Sequence, residues 1–182
     1  MTDLSVYKKP DFKEKESPIR SILWYIVSHL IFTNYLFPFY GIKKSILTAF
    51  GAKIGNGFVI KPCVNIKFPW KLEVGNHVWI GEKVWIDNLG QVKIGNHVCI
   101  SQGATLLTGN HNYRSVSFDL IIKPIVIEDG VWIGAKAVVA PGVICKTNAV
   151  LTLGSILTGD MEADAIYQGN PAFIKKDRQF NS

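Results

Sequence analysis

The stretch "IEDGVWIGAKAVVAPGVI", residues 127 to 144, decides the fold. Cut into sixes it reads IEDGVW, IGAKAV and VAPGVI, with units starting at Ile127, Ile133 and Val139. Each unit opens on an aliphatic residue, has Glu, Gly or Ala second, and has Val or Ala fifth. A six-residue period fits no helix, whose faces recur about every 3.6 residues. It suits a short strand and a tight bend. The first residue points into a core, the fifth is small where a corner is crowded, and Gly or Asn accepts a positive φ at the turn.

The same grammar runs upstream in VGNHVW at Val74, IGEKVW at Ile80 and IGNHVC at Ile94, with looser copies at Ile54, Ile60, Ile100, Cys145 and Leu151. Three such sides close a triangular coil of about eighteen residues, and stacked coils pair strand on strand at about 4.8 Å. Inward aliphatics then form ladders, and open sheet edges remain only at the two ends. The expected fold is mainly β, a parallel β-helix of hexapeptide repeats. The coil starts Ile54, Val74, Ile94, Ile127 and Cys145 stand 20, 20, 33 and 18 residues apart. Two coils therefore carry small bulges, and one carries a long excursion that contains "TGNHNYRS", residues 108 to 115. A long loop on a rigid coil is where functional side chains concentrate.

Bulk properties bound the function. With 182 residues, 48% hydrophobic and 19% charged, the chain has the make-up of one folded domain. The net charge of +6 is scattered apart from Lys8/Lys9, Lys43/Lys44 and Lys175/Lys176/Arg178, which excludes the dense basic stripe of a duplex-binding protein and favours small anions. Cys63, Cys99 and Cys145 form no CxxC pair and read as apolar packing residues of a reducing compartment.

Residues 19 to 41 are the most apolar stretch, yet Arg20, Ser28, His29, Thr33, Asn34 and Pro38 interrupt them, so a membrane span is not expected. No small-residue cleavage site follows, as a secretory signal would need. Ile22, Leu23, Ile26, Val27 and Leu30 keep helical spacing. One or two amphipathic helices are expected, covering a domain end, a subunit contact or a membrane surface, with packing on protein preferred. The resulting division is a helical segment over 1–50, a β-helix over 51–168 with an active-site loop at about 108–124, and a tail over 169–182.

The tandem hexapeptides, "TGNHNYRS", "IEDGVWIGAKAVVAPGV" and the closing "GNPA" (169–172) resemble the hexapeptide-repeat acyltransferases with a left-handed parallel β-helix. "FGAKIGNG", "KFPWKLEVGNHVWIGEKVWIDNLG" and "ISQGATLLTGNHNYRSVSFDLIIKPIVIEDGVWIGA" resemble, within them, the colanic acid biosynthesis acetyltransferases. Left-handedness comes from the resemblance alone, since crossover rules favour the opposite hand. The resemblance implies a cytoplasmic enzyme that moves an acetyl group from acetyl-CoA to a sugar hydroxyl in exopolysaccharide or lipopolysaccharide assembly. It also implies a homotrimer with active sites between subunits and no required metal. An N-acetyltransferase acting on a nucleotide-linked amino sugar is the nearest enzymatic alternative. Peripheral contact with the inner membrane face is a further expectation for the N-terminal segment.

Through the resemblance, His111 matches the catalytic histidine, and imidazole has the basicity to activate a hydroxyl at neutral pH. Trp132, Gly134 and Ala135 match the stretch beside the pantetheine arm of the coenzyme, and Gly154 and Thr158 are expected on the next coil of that groove. Lys175 and Lys176 are expected at the coenzyme phosphates, although Phe173 stands after "GNPA" where relatives often carry arginine. Asp87 replaces a second-place glycine one coil from Leu107; it is either an acceptor-binding or histidine-orienting carboxylate or a turn cap. Asn110 and Tyr113 are loop candidates for acceptor contacts, and Arg114 reads equally as a solvated charge. His77 and His97 occupy equal places in two GNHV units, with Gly130 next in line. They read as exposed corner residues. The rival is a metal site of the kind that γ-class carbonic anhydrases build on this fold. His29 has no ligand spacing.

Overall fold

Every expected coil start lies in one parallel sheet. Ile54 pairs with Val74, Val74 with Ile94, Ile94 with Ile127 and Ile127 with Cys145. The computed structural model that carries this register describes residues 2–7 and 17–180, so Lys8, Lys9 and nearly all of the charged leader lie outside the described residues.

A second parallel face stacks Val59–Ile60, Trp79–Ile80, Cys99–Ile100, Trp132–Ile133 and Val150–Leu151. A third stacks Asn65–Ile66, Trp85–Asp87, Thr105–Leu107, Val138–Val139 and Ile156–Leu157. The inward residues Ile60, Ile80, Ile100, Ile133 and Leu151 on one face, and Ile66, Ile86, Leu106, Val139 and Leu157 on the other, are each 1% exposed or less. Removing each such side chain from water contributes about 1.5–3 kcal/mol, which is why a six-residue apolar beat suffices to hold the coil.

The corners obey backbone sterics. Gly57, His77, His97, Gly130, Asn148 and Asp164 form one column with φ between +54° and +70°. Glycine adopts this left-handed region freely, and His, Asn and Asp are enriched among the other residues found there. The rings of His77 and His97 stack at 5.0 Å and 14°. Both are exposed, and the stack ends at Gly130, which has no side chain to add. Beside it, Asn76 Oδ1 accepts from Asn56 N (2.8 Å), Asn96 Oδ1 from Asn76 N (2.9 Å) and Asp129 Oδ1 from Asn96 N (2.7 Å). These side chains satisfy turn amides that no strand pairs.

The residues in excess of six per side all leave at one corner, where the chain passes from the third face to the first. The first coil spends them on the 3-10 turn Pro69–Lys71, the second on the bend before Val92, and the third on a hairpin of Gly109–His111 paired antiparallel with Leu120–Ile122.

The expected N-terminal helices are present and cap the first coil. Helix α1 (Pro18–Val27) starts on Ser17, whose Oγ accepts from Arg20 N, with proline in its first turn. It runs into a π-helical segment, Ser28–Phe32, and is followed by α2 (Tyr40–Ala49). Trp24, Phe32 and Leu47 continue the β-helix core, and Trp24 Nε1 donates to Ile66 O at 2.8 Å. Lys43 is buried against the Phe32 ring with Nζ 3.4 Å from Lys61 O, and burial pulls its pKa down. Among the described residues no helix is long and apolar enough to cross a membrane.

At the far end, Ala165–Gly169 extends the second face in parallel, and Ala172–Asp177 returns antiparallel beside it, so much of the expected tail is a strand. Arg178 Nη1 donates to Gly130 O (3.0 Å) and Asn148 O (2.8 Å) and ties that strand to the corner column. All three cysteines are free thiols. Cys145 lies in the first-face ladder with its pKa pushed up to about 12 by burial, and burial also raises Cys99, which fits the packing role read from the sequence.

Candidate active site

The excursion leaves from a fixed base. Thr108 is buried; its Oγ1 donates to Asp87 O (3.0 Å) and accepts from Gly90 N (2.9 Å), while its carbonyl accepts from Lys123 N (2.9 Å). The hairpin tip closes on itself. Asn112 N donates to Asp119 O (2.8 Å), and the hydroxyls of Ser115 and Ser117 donate to the Asp119 carboxylate at 2.8 and 2.7 Å.

The Ser117 and Ser115 hydroxyls stabilise the charged carboxylate and lower the Asp119 pKa below its ordinary 3.8. A depressed carboxylate pKa makes the tip most stable above that ordinary value, and this contribution disappears as pH falls through the lowered one. The protection of amides 112–119, measured against their intrinsic exchange rates, is expected to fall below pH 3.8 before that of the coil amides, and Asp119→Asn should remove this loss. Tip and coil loosening together at the same pH would contradict this.

His111 stands on the outgoing strand of the hairpin. Its Nδ1 lies 2.8 Å from Phe118 O. A carbonyl only accepts, so Nδ1 carries the hydrogen, and in the neutral ring the lone pair is on Nε2. The Phe118 ring stacks on the imidazole at 4.3 Å and 6°, and Tyr7 approaches at 5.9 Å and 55°. Phe118 has φ +51°, which is uncommon for a bulky residue; that geometry delivers both its carbonyl and its ring to His111. The result is a half-buried imidazole with a fixed tautomer and an available Nε2, the arrangement a general base requires.

Asp87 is paired with Leu107 one coil on, as its phase requires. Its Oδ1 lies 2.8 Å from Lys67 Nζ, and the group that orients His111 is the Phe118 carbonyl. Asn110 is exposed, with Oδ1 accepting from His111 N at 2.8 Å. Tyr113 is 74% exposed, and the Arg114 guanidinium lies 5.7 Å from its ring, a solvated pair at the tip.

Trp132, Gly134 and Ala135 come together with Ser101, Gln102, Thr152 and Leu153 around a groove of about 410 Å³. Trp132 Nε1 donates to Ser101 Oγ at 2.9 Å, which pins the indole along the groove wall. Gly154 adjoins it, with N donating to Ala135 O at 2.8 Å and φ +66°. Thr158 follows the third-face strand Ile156–Leu157 and does not line this groove. Lys175 and Lys176 are exposed on the returning strand, where Lys176 pairs with Ile166. Gly134 is small for a reason the sequence reading did not include. A Cβ there would lie 2.5 Å from Leu153 N and 2.7 Å from Leu151 O, so the coil above already excludes a side chain.

The groove occupies the corner between the second and third faces, whereas the hairpin leaves between the third and the first. In one protomer the two sets of residues occupy different edges of the triangle. A roomier hollow of about 580 Å³ lies over the first face, whose outer side is a charged row with Lys53 and Glu73 paired at 2.9 Å, and it includes none of the candidate residues. Among the described residues no group of three His, Cys, Asp or Glu is arranged to hold a metal ion, and His77 and His97 have no third partner in their column. Phe118, Tyr7 and the Ser115–Ser117–Asp119 cluster were not singled out by sequence reasoning. Only the alternating "SVSFD" of residues 115–119 offered a signal for the cluster.

No family model matches the chain. It is 36% identical over 178 residues to the "Putative colanic acid biosynthesis acetyltransferase WcaF" of Escherichia coli, covering 98% of each chain. It is 27% identical over 138 residues to the galactoside O-acetyltransferase of E. coli, covering 74% of this chain and 68% of that one. Among solved structures, the hexapeptide-repeat acetyltransferase VCA0836 of Vibrio cholerae, in complex with acetyl-CoA, superposes with a TM-score of 0.82 at 23% identity over 95% of this chain and 94% of that one. A galactoside acetyltransferase in complex with coenzyme A gives 0.80 at 20% identity, over 97% and 89%. The solenoid repeats are those read from the sequence, and the likeness to WcaF runs nearly end to end. This chain therefore belongs to the colanic acid biosynthesis acetyltransferase family of hexapeptide-repeat acyltransferases.

Proposed function

We propose that the chain is a cytoplasmic O-acetyltransferase that moves the acetyl group of acetyl-CoA to a sugar hydroxyl in exopolysaccharide or lipopolysaccharide assembly. The observation that carries this reading is the bond between His111 Nδ1 and Phe118 O, which leaves Nε2 as the hydroxyl's proton acceptor. As the hydroxyl oxygen attacks the thioester carbonyl, its proton passes to Nε2. The tetrahedral anion then collapses, the C–S bond breaks, and the proton goes from Nε2 to the departing thiolate, with no acyl-enzyme. Asp87, Asn110 and Tyr113 would contact the acceptor: Asp87 ends the third-face strand that pairs with Leu107, and Asn110 and Tyr113 belong to the excursion that leaves from there. Trp132, Ala135 and Gly154 would flank the pantetheine arm, and Lys175 and Lys176 would meet the phosphates as point charges.

The two halves of this site sit on different edges of one protomer, which supports a homotrimer in which one subunit's hairpin meets its neighbour's groove. The charge distribution agrees. Charged residues such as Lys53, Glu73 and Lys93 line the first face, while Trp79 and Trp132 project from the second and Trp85 from the third. The acetyl-CoA in the V. cholerae structure and the sugar named for the galactoside enzymes support the choice of donor and acceptor class. The test is incubation with acetyl-CoA and a panel of glycans and amino-sugar nucleotides while following thiol release, together with mass spectrometry of surface polysaccharide with and without the protein. Transfer confined to amines, or no transfer, would overturn the reading.

A further inference from the structure

Helix α1 is apolar on both sides. Trp24, Ser28 and Phe32 face the β-helix and are buried, yet the opposite face carries Ile19, Ile22, Leu23, Ile26 and Leu30, each about half exposed or more. The turn that follows continues it with Leu36 at 87% exposed. A helix that met water on that side would be polar there, and a contiguous apolar surface of this kind marks an interaction site.

Charge selects the partner. Residues 17 to 72 contain seven Lys or Arg and no Asp or Glu. Among the described residues, Arg20, Lys44, Lys61 and Lys83 form no ion pair with a carboxylate. Arg20 donates to Phe50 O, Lys44 to Gly55 O and Lys61 sits over the Trp79 ring, so their positive charge is held at this end of the coil without being neutralised. Lys83 lies 5.7 Å from the Tyr35 ring, which sets a cation beside the apolar turn. Pairing this end with the same end of a second copy would bring like charges together, whereas an anionic bilayer offers complementary charge and an apolar interior.

We propose that the helical cap docks on an anionic lipid surface, with the outer face of α1 sunk at the headgroup boundary, Lys83 beside its apolar turn, and the unneutralised positive charge of this end of the coil drawing it there. α1 has ten residues, too few to span, so it lies in the interface plane. Docking does not rest on acetyl transfer, and a chain without transferase activity would still bind.

The experiment is co-sedimentation of the full chain with vesicles of phosphatidylcholine alone or with about a third phosphatidylglycerol. Binding is expected to the anionic vesicles and to fall several-fold in about 0.5 M salt. The triple change Ile22→Ser, Leu23→Ser, Ile26→Ser is expected to lower it by about tenfold or more, with thermal unfolding and light-scattering mass unchanged. Leu153→Ser, at a 77% exposed site on the distant groove, is expected to bind as the parent does. Equal binding to both vesicle types, undiminished binding of the triple variant, or no binding at all would overturn the proposal. A change of assembly mass in the triple variant would assign the face to contacts between copies instead.

Discussion

Replacing His111 with alanine is expected to lower kcat for acetyl transfer by about 10² to 10⁴-fold, the usual contribution of a positioned general base. The change removes the imidazole that Phe118 O holds while leaving the Thr108 base and the Asp119 tip intact. The KM for acetyl-CoA should therefore stay within about twofold, because an interaction made only in the transition state affects kcat and kcat/KM equally. Thermal unfolding should shift little, since His111 is only half buried. Steady-state kinetics on purified protein read all three quantities. A variant with full kcat would remove His111 from the mechanism.

Gly134→Ala is expected to destabilise the coil by about 2–4 kcal/mol. The atoms its Cβ would strike, Leu153 N and Leu151 O, are backbone, and Leu151 O already accepts from Gly134 N at 2.7 Å. No side chain can turn away to relieve the contact. Gly154 is the internal comparison, because a Cβ there meets nothing within 4 Å and strains only through φ +66°. Gly154→Ala should cost about 1 kcal/mol. Urea unfolding of the two variants decides between crowding and backbone strain, and equal losses would show that crowding is not what keeps residue 134 a glycine.

The repeat made the coil legible because inward aliphatics recur at a fixed phase, so one register specifies all others. Ile54, Val74, Ile94, Ile127 and Cys145 pair as their spacing requires, and Asp87 meets Leu107 for the same reason. The phase also bears on Thr158. It stands six residues beyond Thr152, hence one face further round, away from the groove that Thr152 lines. The hairpin was legible as an excursion, and a family likeness singled out His111, which stands on its outgoing strand. Its inner order was not, because Phe118 takes a backbone conformation that its side chain disfavours and does so only in the company of His111. Tyr7 was out of reach for a different reason, since its contact with His111 joins positions more than a hundred residues apart with no shared period. The outer face of α1 was ambiguous because Trp24 and Ile22 look alike as apolar residues, and only burial separates the one that packs from the one that does not.

The central claim is that one subunit's imidazole serves its neighbour's groove, and hybrid complementation tests it most directly. His111→Ala and a groove-blocking Ala135→Arg are each expected to be inactive on their own. Mixed subunits exchanged at equal ratio should regain about a quarter of wild-type activity, because a closed ring then contains seams that join an intact hairpin to an intact groove. Mixtures that stay as inactive as their parents, while mass measurements show that hybrids have formed, would contradict the account.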